Sequence, residues 1–185
     1  VKVTNGTYVL SKPIFIQGKN ITLKSEKGSR YTTTDGNYKT RCFYISACPR
    51  TIIDGFTITR GRQAYGGGGV YLVYSGVVQN CVITDNAATN GSSGGGIVSS
   101  YGGTIYNCII SNNAADQAGG GVLFKRGGEI QNSTIVNNIA DVGGGISCSG
   151  VTKIVGCTLR TNVANTVGGG ISFFGASGVI SNCYL

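Results

Sequence analysis

The groups with which this chain could do chemistry are seven Asp/Glu, fifteen Lys/Arg and seven cysteines, with no histidine at all. Hydrolysis by general acid and base needs two carboxylates within one site. Here Asp54, Asp85, Asp116, Glu129 and Asp141 are strung out along the chain, and even Asp85 and Asp116 occupy different slots beside Asn86 and Ala115. Without histidine, every His-based triad and the commonest neutral-pH base are excluded. No Cys-x-x-Cys or His pair suggests a transition metal, and no Gly-rich loop opens a helix to cradle phosphate. The densest basic cluster is Lys39, Arg41, Arg60 and Arg62 with Tyr65, and Asp54 lies near it in sequence. Such a cluster could contact an anion or a glycan, and in a lyase a basic residue would work beside Ca²⁺. Ca²⁺ takes six to eight oxygens, usually several from carboxylates, and one Asp is poor provision. No catalytic residue, metal site or cofactor is therefore assigned; Ca²⁺ enters only under the lyase alternative.

The elements that must position these groups are repeats. The stretch from Tyr106 to Val122, YNCIISNNAADQAGGGV, recurs as QNCVITDNAATNGSSGGGI, QNSTIVNNIADVGGGI and VGCTLRTNVANTVGGGI, and more loosely as DGFTITRGRQAYGGGGV. Ile58, Ile83, Ile110, Ile135, Leu159 and Leu185 are 25, 27, 25, 24 and 26 residues apart. The last glycine of each run gives Gly69, Gly96, Gly121, Gly145 and Gly170, spaced 27, 25, 24 and 25. Three short strands are expected per repeat: Gly103–Tyr106, Cys108–Ile110 and Val122–Lys125. Alternation sends Ile105, Cys108, Ile110, Val122 and Phe124 inward. Two or three inward residues per strand cannot make a core alone, but stacked turns turn them into columns. The expected fold is all-β, a single parallel β-helix of about 24–27 residues per rung. Residues 1–50 form irregular first rungs and residues 51–185 the regular repeats, with Ser25–Thr40 expected as a projecting loop.

Each repeat slot has its own chemistry. Cys81, Cys108, Cys157 and Cys183 share a slot with Ser133 and Phe56, and Cys148 shares one with Phe124 and Phe173; free Cys packs there as a small hydrophobe. Only Cys42 and Cys48 fall outside the repeats and could pair. Asn80, Asn107, Asn132 and Asn182 form one column, with Gly55 and Gly156 substituting. Asn86, Asn113, Asn138 and Asn162 form another, with Gly61 substituting. Asn and Gly both tolerate the left-handed region, so two left-handed corners with stacked amides are expected. Ala88, Ala115, Ala140 and Ala164 suit a crowded inner corner, and the triple glycines a bend with no room for a Cβ.

The pattern NCxIxxNxA followed by GGG[IV] resembles the right-handed parallel β-helices of the pectate-lyase-like group. It is similar above all to bacterial surface-protein repeats of the polymorphic outer-membrane-protein type, with Phe56–Gly61 (FTITRG) and Cys108–Asn113 (CIISNN) as local matches. The opening NGTYVLSKPIFIQGKNITLKS with RCFYIS also resembles the first rungs of bacterial secreted β-helices. Right-handedness is what this resemblance implies. The group holds lyases, hydrolases, adhesins and structural passengers, so it points to fold rather than activity.

What remains is the outside of the coil. Residues 1–62 hold 11 Lys/Arg against 3 Asp/Glu, whereas residues 63–185 hold 4 of each. This allows a polyanion partner such as an acidic polysaccharide; a solvated face is the plainer reading, and no nucleic-acid partner is expected. Tyr71, Val98 and Leu123 occupy outward slots and are expected to stack into an exposed contact stripe, continued by Ser147 and Ser172, which rules out a Thr array for ice on that face. Of the sequons at Asn5, Asn20, Asn90 and Asn132, the last is expected to be inaccessible in its corner column. No run of 18 apolar residues exists, so no membrane span is expected. With no Met and no terminal cap, the chain is expected to be part of a longer solenoid or to self-associate through its ends. The leading expectation is a non-catalytic extracellular or cell-surface bacterial β-helix, structural or adhesive, with a head-to-tail fibre subunit as one form of it. An acidic-polysaccharide lyase or glycan-binding module is the alternative.

Overall fold

A computed structural model describes residues 1–175 and 177–185. All of its regular structure is β, arranged in four parallel sheets stacked along a solenoid of about seven turns. In chain order, each regular turn contributes a strand to sheet I (such as Thr104–Tyr106), sheet II (Ile109–Ser111), sheet III (Ala114–Ala115) and sheet IV (Val122–Phe124). Sheet I has eight strands, sheets II and IV seven each, and sheet III five. The three strands expected per repeat are those of sheets I, II and IV. The fourth is a two-residue strand in the early rungs, too short to show period-2 alternation in sequence.

Every strand pairs in parallel with its equivalent one rung away. Ile83 aligns with Ile58 and Ile110, and Val98 with Tyr71 and Leu123. The inward residues Ile105, Cys108, Ile110, Val122 and Phe124 are all buried. Their columns merge into one core that runs from Ile16 to Leu159. Ala88, Ala115 and Ala140 make a second, smaller cluster inside sheet III.

The first fifty residues occupy the same sheets. Thr32–Asp35 lies in sheet II between Gly6–Val9 and Thr57–Thr59, and Thr32, Thr34 and Asp35 are buried. The expected projecting loop at Ser25–Thr40 is therefore corrected. Its polar sequence, TTTD, hid a strand because the inward positions are held by hydroxyls rather than aliphatic side chains.

The corner chemistry separates two jobs that the sequence reading merged. In the first column, Asn80, Asn107, Asn132 and Asn182 do take the left-handed conformation, with φ from 48° to 54°. These side chains stand on the surface, and Asn107 Nδ2 donates to Asn80 Oδ1 at 2.8 Å. In the second column the left-handed residue is the one before the Asn: Arg60, Asp85, Asn112, Asn137 and Thr161. The turn at that residue aims the following Asn inward. Asn86, Asn113 and Asn138 are buried, and each Nδ2 donates to the next rung's Oδ1 at 3.0 Å, ending at Asn162. The same Oδ1 atoms accept the preceding rung's backbone N–H, and the Nδ2 groups also bond carbonyls such as Ile83 O. Backbone groups orphaned by a sharp corner are thus satisfied by a side-chain ladder.

The glycine runs close the turn against that ladder. A Cβ on Gly121 would lie 2.7 Å from Gly145 O and 3.1 Å from Asn138 Cγ. The glycine two before the last of each run (Gly67, Gly94, Gly119, Gly143 and Gly168) has φ between 59° and 72° and packs over the outward residue of the next sheet IV strand.

These contacts make two expectations. Asn113→Ala leaves several buried partners unbonded and should cost about 3 kcal/mol, whereas Asn107→Gly should be close to neutral. Urea titration of both variants checks this; equal losses would contradict the division of roles. Gly121→Ala, at an unstrained φ, should cost about 3 kcal/mol through overpacking alone, read as a lowered midpoint of thermal unfolding.

Candidate functional site

The carboxylates are dispersed and occupied. Asp35 accepts from Arg60, with Nε to Oδ1 at 2.9 Å and a second bond from Nη2 to Oδ2. Asp54 faces out of sheet I, where Asn80 Nδ2 lies at 2.7 Å and Lys24 Nζ at 3.4 Å. Asp116 accepts the Gly91 N–H, and Asp141 accepts from Asn165. Asp85, exposed at a corner, accepts from its neighbour Thr84. Lys153, 2.6 Å from Glu129, holds that carboxyl below its ordinary range. Among the described residues no three His, Cys, Asp or Glu side chains converge as a metal site would require.

The basic cluster is split by the fold. Asp54 belongs to sheet I, whereas Arg60 sits at the corner after sheet II, where Asp35 from the rung before neutralises it and Tyr38 lies 5.8 Å from its guanidinium carbon. Lys39 and Arg62 are exposed, and Tyr65 stands 82% exposed on a loop. Arg62 shares only a backbone bond with the Lys39 stretch, to Thr40 O. Arg41 turns elsewhere. It is 95% withdrawn from solvent and lies over the outward face of sheet IV, 5.3 Å from the Tyr44 ring and 5.0 Å from the Tyr71 ring. Burial lowers its pKa, opposed by the two phenols, though a guanidinium stays charged.

The expected contact stripe is not exposed. Val98 and Leu123 are buried and Tyr71 is half-buried. The stripe is covered by its own glycine runs: Gly67 packs on Tyr71 Cβ, Gly94 on the Val98 methyl, and Gly119 on the Leu123 backbone. A period-2 reading finds which residues leave the barrel, but not that a loop folds back over them. Uncovered aromatic surface lies further toward the N-terminus, where Phe15 stacks on Tyr44 with centroids 5.2 Å apart and planes 8° from parallel. The alternation in FYIS put Tyr44 outward in register with Tyr71, so this signal was readable.

Sheet II carries an open lateral face. Its outward side chains include Thr57, Thr59, Thr84, Ser111 and Thr134, interrupted by Val82, Ile109 and Val136. Beside it, a groove of about 410 Å³ follows the exposed corner of Asn80, Asn107 and Asn132. Asn132 is therefore accessible, which corrects the expectation that its column was sealed.

The cysteines are free and interior, apart from the half-buried Cys183. Cys42 and Cys48 flank the strand Phe43–Ser46, about 20 Å apart along an extended chain, and their Sγ atoms contact different carbonyls, Thr34 and Ile16. They cannot bridge. Burial pushes the Cys42 thiol up to about 12 and those of Cys148 and Cys157 to about 11. The native protein should hence present at most Cys183 to a thiol reagent, even at pH 9, and all seven after denaturation. A colorimetric thiol titration reads this; rapid labelling of two or more native thiols would contradict the interior placement.

A family model described as a right handed beta helix region matches residues 41–185. No curated protein and no solved structure matches the chain. The matched region contains the regular rungs, the Asn ladder and the glycine column, and the chain belongs to the right-handed β-helix family.

Proposed function

We propose that this chain is a non-catalytic segment of an extracellular, bacterial surface β-helix, structural or adhesive in role. The observation that carries this reading is the fate of the acids: six of the seven carboxylates serve bonds within the solenoid, on separate corners and faces. No two are left together for acid and base work. Arg60, one of the basic residues of the lyase alternative, is tied bidentately to Asp35. Seven turns stacked at strand spacing make a stiff element of roughly 30 Å, and what such an element offers is its lateral surface. The open face of sheet II, with mixed hydroxyl and aliphatic side chains, is the contact surface under this proposal. Among the described residues no helix is long and apolar enough to cross a membrane.

Incubation with pectate, alginate and hyaluronate, followed by ultraviolet absorbance of unsaturated products, tests the absence of lyase chemistry. The expected result is no product above a buffer blank. Cleavage that disappears in Arg60→Ala while the fold survives by circular dichroism would overturn the structural reading. Negative-stain electron microscopy adds the assembly state: short rods are expected for lateral adhesion, and growing fibres would assign the solenoid to a filament.

A further inference from the structure

The middle rungs of sheet II present a regular array of small side chains to solvent. Val82, Ile109 and Thr134 stack outward in one column and Thr84, Ser111 and Val136 in the next, with no register shift between rungs. None of the six is buried, and Ile109 stands 48% exposed. The rung before them is partly closed, because Thr57 Oγ1 donates to Ser29 O at 2.8 Å. All but Ser111 are β-branched and therefore stiff at χ1. Ser111 Oγ donates to Thr84 Oγ1 at 3.2 Å, which donates in turn to Asp85 Oδ2 at 3.0 Å, so these hydroxyls are already held in place. Methyls and hydroxyls thus repeat at about 4.8 Å from rung to rung and about 6.7 Å along each strand. None of the six is charged or aromatic; charge lies at the margin, on Asp85 at the corner and on Arg160 one rung beyond Val136.

These features select among partners. A polyanion finds no cation among the six side chains, and a sugar ring finds no aromatic ring to stack on. A second protein would bury too little, since corner to corner the three rungs measure roughly 15 Å each way, well short of the ~800 Å² per partner of a stable interface. A fixed array of methyls and hydroxyls suits a surface that itself repeats in two dimensions. We propose that this face of sheet II binds ice. Its two spacings lie near those of water molecules in the ice lattice. The methyls of Thr, Val and Ile restrict the water against them, and the hydroxyls with the corner amides of Asn107 and Asn112 anchor that layer, which joins the growing crystal. The inference rests on the reading of sheet II as the contact surface and gives that surface its partner.

Growth of a single ice crystal in a solution of the intact chain, read by nanolitre osmometry, and microscopy of ice recrystallisation test this. The wild-type chain should shape the crystal, separate its freezing point from its melting point and arrest recrystallisation, where an equal mass of serum albumin does not. Ile109→Lys and Thr134→Lys place a charge on the open face without touching the core, and each should lose the effect while circular dichroism shows the fold retained. Val151→Lys, 73% exposed ahead of a sheet I strand, should keep it. An inactive wild-type chain overturns the ice assignment whatever the variants do, as does full activity in a folded Ile109→Lys. Sedimentation with powdered cellulose and chitin runs alongside. Adsorption to either that Ile109→Lys abolishes, with no effect on ice, overturns ice as the partner and leaves sheet II as the contact surface. The two readings fail separately: cleavage of a polysaccharide strikes the non-catalytic role, whereas absence of ice activity strikes the ice assignment alone.

Discussion

Strict superposition of one rung on the next is the constraint on which everything else depends. No turn of the coil buries enough side chain to stand alone, so each inward residue must find its equivalent directly above and below. The backbone enforces this through parallel ladders in all four sheets, and the Asn86–Asn113–Asn138–Asn162 ladder enforces it again through side chains. An amide ladder is more exacting than an aliphatic column. A slipped Ile still meets hydrocarbon, whereas a slipped Asn leaves a donor and an acceptor buried and unpaired.

That constraint explains where the chain has freedom. Variation in repeat length between 24 and 27 residues is absorbed in turns such as Ala64–Gly67 and Asn90–Gly94, and once by a register shift within sheet III between Ala140 and Val142. The same turns fold back over sheet IV and seal it, at the cost of glycines where a Cβ would strike the neighbouring backbone. The faces that stay open are those whose adjoining corners are tight. Sheet II is flanked by two single-residue left-handed corners, at Asn107 and at Asn112 in the rung described, and Ile109 between them is exposed.

Charge follows the same logic. Carboxylates sit at corners and edges, where they bond to the next rung, and most of the basic excess in the first third is solvated or paired in this way. Arg41 departs from it because the connection from sheet II to sheet IV is short in its rung. The chain passes from the corner at Gly36–Tyr38 to the strand at Phe43 without a glycine loop, and Arg41 lies where that loop would otherwise cover the sheet.

Composition and period alone determined the fold class, the columns of Cys, Asn and Ala, and the need for glycine at the bend. Each of these follows from a residue type repeated at a fixed interval, and repetition survives in one dimension. The same reading missed the strand at Thr32–Asp35, since hydroxyl-bearing inward residues carry no hydrophobic period. It placed the left-handed bend on Asn113 when the bend lies at Asn112, because a one-residue offset changes whether an amide faces water or the core. Only the tertiary structure decided what covers what. Val98 and Leu123 leave the barrel as their alternation requires, yet they are buried by a loop that returns from the previous corner. Arg41 and Arg60 look alike in sequence, but one meets a carboxylate from the adjacent rung and the other meets two tyrosine rings. Partners of that kind are set by stacking across about 25 residues of chain, and local pattern does not record them.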